Sequence, residues 1–163
     1  MSCLEKTDNP GVIAFPPLIG LVVVLLGLLF DYLLPLGFVE RIGFVPRAAM
    51  GACLLALGMS MAATARATFL AAGTNVNPMQ PAHTMVTTGI FSHVRNPMYE
   101  GGTLMLIGIA LLVGSDWILI LLVPALLLVH FGVVLREERY LSTKFGEAYR
   151  RYLHEVPRYG WKL

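Results

Sequence analysis

The chain has 163 residues, 56% of them hydrophobic and only 13% charged, with a mean hydropathy of +0.71 and a net charge of +2 at pH 7. A length of this order makes one domain, residues 1–163, and apolar runs this long exclude a soluble core. Cys3 sits in a polar stretch and Cys53 in an apolar run, so neither a disulfide nor a metal site is expected, and no nucleic-acid partner either.

Residues 1–10 are polar and read as loose; an uncharged run then extends from residue 11 to 30, and the span continues to Leu34. It is longer than the apolar part of a signal peptide, its leader is not basic, and no small-residue cleavage site follows Asp31, so it reads as a retained span. Pro16 and Pro17 suit the first turn of its helix, and Pro35 and Gly37 end it. Glu40 and Arg41 mark a short interfacial connection over residues 36–47. The second span, about residues 48–70, is rich in small residues such as Gly51 and Gly58, which let helices approach closely in lipid. Near its end Arg66 either snorkels to the headgroups, the favoured reading, or reaches the functional site.

Residues 71–96 form a long polar connection, of a length that compact proteins use for function or leave disordered. A third span over residues 97–113, a turn at Gly114-Ser115-Asp116 and a fourth span over 117–135 make a helical hairpin with an interfacial Trp117. The spans match in length, so the hairpin returns Arg136-Glu137-Glu138 to the level of Asn96-Pro97-Tyr99. Within the fourth span Pro124 is read as a kink that opens a gap, and His130 as a structural hydrogen-bonding group. Beyond Glu138 the chain becomes a basic amphipathic segment suited to the membrane surface; Gly146 divides it and Val156-Pro157-Arg158 closes it. The fold expected is all-α: a polytopic membrane protein with about four transmembrane helices, a C-terminal hairpin and an interfacial C-terminal segment. The N-terminus, the 71–96 loop and the 136–163 tail together hold most of the Lys and Arg, against Arg41 and Arg47 in the first connection, which predicts that these three face the cytoplasm.

The stretch 86–99 gathers polar and aromatic groups at the entry to the third span. Asn96 is placed to cap that helix and Pro97 to take its first turn, which leaves free N–H groups that welcome an anion. A well-capped helix entry with no further role explains the same residues.

Together, Val86-Thr87-Thr88-Gly89-Ile90-Phe91, Arg95-Asn96-Pro97-Met98-Tyr99, Arg136-Glu137-Glu138-Arg139-Tyr140-Leu141, Phe145-Gly146, Tyr149, Tyr152 and Val156-Pro157-Arg158 resemble the isoprenylcysteine carboxyl methyltransferase family and its phospholipid N-methyltransferase relatives. The resemblance covers the C-terminal half and rests on the order and spacing of these pieces around a hairpin. Asn96 stands where the family usually has His, as bacterial members often do, and Ile90-Phe91 replaces Pro-Tyr, which keeps the ring and loses its hydroxyl.

The resemblance implies an integral membrane enzyme, of the bacterial inner membrane, that uses S-adenosyl-L-methionine held between the hairpin entry and the polar tail. The chemistry of the residues agrees: an acid for the cofactor's ammonium, a base or helix N-terminus for its carboxylate, and an aromatic slot for its adenine. Gly89, Phe91, Arg95, Asn96, Pro97, Tyr99, Glu137, Glu138, Tyr149 and Tyr152 are the expected cofactor contacts, and Glu138 is taken as the inward member of its pair. Arg95, Glu138 and His93 are the expected catalytic residues, His93 as a base should the acceptor be an amine. Arg66 and Arg158 are assigned to the acceptor, a lipid-like or isoprenoid carboxylate or thiol, with membrane lipids as partners. The alternatives are a phospholipid headgroup N-methyltransferase and, from another class, a non-catalytic membrane subunit whose basic tail docks on lipid or a partner.

Overall fold

A computed structural model describes residues 8–162; part of the polar N-terminus, with Cys3, lies outside them. Six α-helices account for most of the chain: α1 (Pro16–Leu33), α2 (Phe44–Ala71), α3 (Pro97–Val113), α4 (Asp116–Val129), α5 (Leu135–Phe145) and α6 (Glu147–Glu155). Helices α1, α2 and the continuous run Asp116–Phe145 are long and apolar enough to cross a membrane. The 17 residues of α3 extend about 25 Å at 1.5 Å per residue, enough for a fourth crossing of a slightly thinned slab. Large apolar side chains cover the outside of these helices, including Leu25 at 58% and Val123 at 61% exposure, the inversion expected where lipid replaces water.

Packing is decided by small residues. Helix α3 packs chiefly on α2 and α4 chiefly on α1, while the two helices of the hairpin touch each other far less. On the α2–α3 seam Gly51 faces Gly108 and Gly58 faces Gly101, each pair seven residues from the next along its own helix. A Cβ built on Gly108 would stand 2.7 Å from the Gly51 carbonyl oxygen, and one on Gly101 at the same distance from that of Gly58, so the backbones are as close as glycine permits. Dispersion between surfaces brought this near is what holds helices together in lipid, where burial from water contributes nothing.

At one face of the bundle the turn between α3 and α4 is pinned by its own polar residues. Gly114 adopts the left-handed conformation that ends α3, and Ser115 Oγ accepts the Ile118 N–H at 3.0 Å to cap α4. The buried Asp116 carboxylate accepts the backbone N–H groups of Phe38 and Val39 at 2.9 Å each. The first connection, which contains a short 3₁₀ turn at Val39–Arg41, is thereby fastened to the hairpin turn. Trp117 Nε1 donates to the Leu34 carbonyl at 2.8 Å, which fixes the end of α1 to the start of α4.

The opposite face carries everything polar from residues 72–96 and 135–162, and residues 8–13 return to it. Two expectations are corrected there. The helix of the fourth span does not stop at Leu135: it passes through a π-helical turn, His130–Val134, straight into α5, with Pro124 inside α4. The widened turn frees the Gly132 carbonyl, which accepts the Ile13 N–H at 3.2 Å, and the missing side chain of Gly132 leaves the notch that Ile13 fills. In addition, Asn96 does not cap α3 with its side chain. Its amide is drawn off to the tail, donating to the Arg158 carbonyl at 3.1 Å, while Pro97 takes the first helical position as expected. Gly146, at φ +58°, separates α5 from α6.

Candidate active site

The entry to α3 and the polar tail meet through an ion cluster. Glu138, 9% exposed, accepts from Arg95 Nη1 at 2.8 Å and from Arg158 Nε and Nη2 at 2.9 and 2.7 Å. Two guanidiniums on one carboxylate leave the cluster with a net positive charge. The Glu138 hydrogen bond also raises the pKa of Arg158 above its usual value. Around it the backbone is locked: the Arg95 N–H donates to the Pro157 carbonyl at 3.0 Å and Lys162 N–H to the His93 carbonyl at 2.9 Å. Gly160 N–H donates to Glu100 Oε1 at 2.5 Å.

Glu137 plays a different part. Its carboxylate accepts the Tyr99 hydroxyl at 2.7 Å, which joins α5 to the first turn of α3 as the matched hairpin lengths require. Adjacent helical residues point about 100° apart, and here Glu137 lines a cavity that Glu138 does not.

That cavity, about 100 Å³, has Phe91, Arg95, Glu137, Tyr149 and Tyr152 on one wall and residues of the 74–86 loop on the other. Arg95 Nε is buried with no hydrogen-bond partner, an orphan donor beside the cavity. Phe91 stacks on Phe69 of α2, with centroids 4.6 Å apart. Tyr152 donates its hydroxyl to the Phe91 carbonyl at 2.6 Å, anchoring α6 to the 3₁₀ turn Gly89–Ser92. Burial pushes the phenols of Tyr149 and Tyr152 well above their ordinary range, so both remain neutral donors.

Of the residues expected at the site, five meet at the cavity wall and Tyr99, Pro97, Asn96, Glu138 and Arg158 stand behind it, holding that wall in place. Gly89, at φ +60°, begins the 3₁₀ turn and touches Thr68 rather than the cavity. His93 is exposed, its ring stacked on Trp161 with centroids 4.7 Å apart. Arg66 is exposed on α2 and lies outside the cavity wall. Sequence reasoning missed Tyr140, whose hydroxyl accepts the Ala82 N–H at 3.2 Å and donates to Asp8 at 2.7 Å, tying the loop and the N-terminal segment to α5. It also missed the buried Thr74, whose Oγ1 accepts the His83 N–H at 3.0 Å and folds the loop on itself. Thr74 carries no local signal beyond being polar near an apolar helix, whereas Tyr140 belongs to the Arg136–Leu141 stretch that carries the family resemblance and has no role of its own in it.

Helices with apolar outer flanks, and polar segments gathered at the ends of the bundle, define a polytopic membrane protein. The sequence profile of the phospholipid methyltransferase family matches residues 46–148, well over half of the chain, and the protein belongs to that family. A protein-S-isoprenylcysteine O-methyltransferase from Schizosaccharomyces pombe is 36% identical over 76 residues, 46% of this chain. Those residues span only 32% of that relative's length. No solved structure matches.

Proposed function

We propose that the protein transfers a methyl group from S-adenosyl-L-methionine to a lipid-like acceptor at the membrane surface. The observation that carries this reading is the cavity bounded by an unpartnered, buried Arg95 Nε, the Glu137 carboxylate and the rings of Phe91, Tyr149 and Tyr152. Those groups match a zwitterionic amino acid joined to a nucleoside. Arg95 Nε is the donor for the carboxylate, Glu137 the acceptor for the ammonium, and the aromatic rings the slot for the base. When bound, the cofactor supplies a methyl on a sulfonium, which passes to the acceptor's nucleophilic atom and leaves a neutral thioether.

The chain's own contribution is position and dryness. Glu138 holds Arg95 against the cavity, Tyr99 holds Glu137, and Tyr152 is tied to the Phe91 carbonyl, so these contact groups are fixed by hydrogen bonds before any ligand arrives. In-line displacement that disperses a positive charge gains most from alignment and from exclusion of water. No covalent enzyme intermediate is required. A carboxylate or thiolate acceptor needs no base; an amine acceptor must lose a proton, and Glu137 is the carboxylate at the cavity able to take it.

The S. pombe relative supports an isoprenoid carboxylate as acceptor, whereas the family profile supports a phospholipid headgroup. Both readings take an acceptor with a lipid or isoprenoid chain. The deciding experiment incubates the purified protein with methyl-labelled cofactor and a membrane lipid extract and identifies the labelled product by chromatography and mass. Saturable binding of S-adenosylhomocysteine with a labelled lipid is the expected result; no saturable binding would make the chain a non-catalytic membrane subunit.

A further inference from the structure

Besides its two walls the cavity is lined by Pro10, from the segment that precedes α1. That segment is fastened along one edge of the helix that runs from the π-helical turn into α5. Its Ile13 N–H donates to the Gly132 carbonyl at 3.2 Å, and its Gly11 carbonyl accepts from Arg136 Nη1 at 2.9 Å. Its Asp8 carboxylate accepts the Tyr140 hydroxyl at 2.7 Å and Lys144 Nζ at 2.7 and 2.9 Å. Gly132, Arg136, Tyr140 and Lys144 follow one another every fourth residue, the spacing that keeps residues on one edge of a helix. The segment runs the opposite way along them. Two residues of chain reach at most about 7 Å and four residues of helix rise about 6 Å, so the rungs Ile13–Gly132 and Gly11–Arg136 stay in step.

The rungs are not equal. The inner two end on backbone groups of the segment, and Val12 between them is buried. The outer one joins side chains that are 59% exposed at Asp8 and 27% at Lys144, where water screens the pair. Between the two kinds of rung Gly11 stands at φ +61°, where an added Cβ would meet nothing within 4 Å, so the chain can turn there. Tyr140 joins the segment to the 74–86 loop. Its hydroxyl donates to Asp8 and accepts from the Ala82 N–H at 3.2 Å and from Lys144 Nζ at 2.9 Å, so its proton and both lone pairs are used. One phenol, itself lining the cavity, thus holds both coverings.

We propose that residues 8–13 are a strap that closes the cavity and opens from its Asp8 end while Ile13 stays seated, and that Tyr140 is the positioning residue that latches strap and loop as one lid. What passes beneath the strap rests on the methyltransferase reading above: the methyl donor enters, and its thioether product leaves, when the exposed end unfastens.

The test follows exchange of radiolabelled S-adenosylhomocysteine on the full chain in nanodiscs, by association and by chase. Asp8→Ala removes the outer rung without touching a residue of the cavity wall. It should speed association and dissociation alike by about two- to fivefold, the range of an exposed ion pair, and leave Kd within about twofold of the parent. Tyr140→Phe should speed both by about tenfold or more, because it frees strap and loop together. Raising the salt from about 50 to about 500 mM should speed exchange more in the parent than in Asp8→Ala, which has no pair left to screen. Rates changed less than twofold in Asp8→Ala overturn the proposal, as does an equal salt response in the two proteins. Faster dissociation with unchanged association overturns it too, being the mark of a lost ligand contact and not of a lid. A parent that binds no S-adenosylhomocysteine overturns the methyltransferase reading and the role of the strap with it, whereas binding with unaltered exchange overturns the strap alone.

Discussion

Replacing Glu137 and Glu138 separately by Gln should split stability from cofactor affinity. Glu138 accepts three charge-assisted hydrogen bonds, and its pair with Arg95 is closed from solvent, both side chains being 11% exposed. Arg158 is 34% exposed, so its share is screened and contributes only about 0.5–1 kcal/mol. Removing the carboxylate charge leaves Arg95 with a buried, uncompensated guanidinium, for which a cost of about 2–3 kcal/mol is reasonable, below the 3–5 kcal/mol of a fully buried pair. For a chain of this size that corresponds to a fall of roughly 5–10 °C in Tm. Glu137→Gln keeps an oxygen to accept the Tyr99 hydroxyl, so its Tm should move by no more than about 2 °C, a loss well under 1 kcal/mol. The ligand should report the reverse order: loss of one charge-assisted hydrogen bond of about 1.5–3 kcal/mol weakens S-adenosylhomocysteine roughly ten- to a hundred-fold in Glu137→Gln. Thermal unfolding in detergent and calorimetric titration measure the two effects. A Glu138→Gln protein as stable as the parent, or a Glu137→Gln protein that binds as tightly, would refute the division of labour between them.

On the α2–α3 seam, Gly58→Ala pushes a methyl into the Gly101 carbonyl and should cost about 1–3 kcal/mol, whereas Gly20→Ala, which meets only Leu106 at 3.8 Å, should be neutral; thermal aggregation of the two variants compares them. Tyr152→Phe strands the Phe91 carbonyl and should cost about 1–3 kcal/mol, read as a lowered Tm together with weaker S-adenosylhomocysteine binding. Ligand entry beside the 74–86 loop, which lines the cavity, should change the loop's rate of proteolytic cleavage on adding S-adenosylhomocysteine. Cysteines placed at Lys162 and at Glu40 should be labelled from opposite sides of the membrane, Lys162 from the cytoplasm.

The spans and the hairpin were legible because lipid imposes a single rule on sequence, a run of apolar residues long enough to cross, and the equal lengths of the third and fourth spans already implied that Tyr99 and Glu137 meet. The grip of the tail on the α3 entry was not legible. Asn96 looks like a helix cap by type and position, yet Arg158, 62 residues away, offers its carbonyl and wins the amide. Local pattern ranks only local partners. The orientation of the Glu pair was not legible for a related reason, since phase along a helix can be counted only while the helix keeps its period.

That period changes at residues 130–134. A π-helical turn absorbs one residue more than an α-turn, so its flanks keep their mutual orientation although the count between them has grown by one. The turn thus acts as a slack link: shortening it by a residue would leave Pro124 and Glu137 facing as they do, while an equal deletion from the regular α5 would rotate all that follows by about 100°. Length variation in this helix is therefore absorbed between the lipid-embedded half and the half that carries the carboxylates, at the one place where the ladder is already open to Ile13.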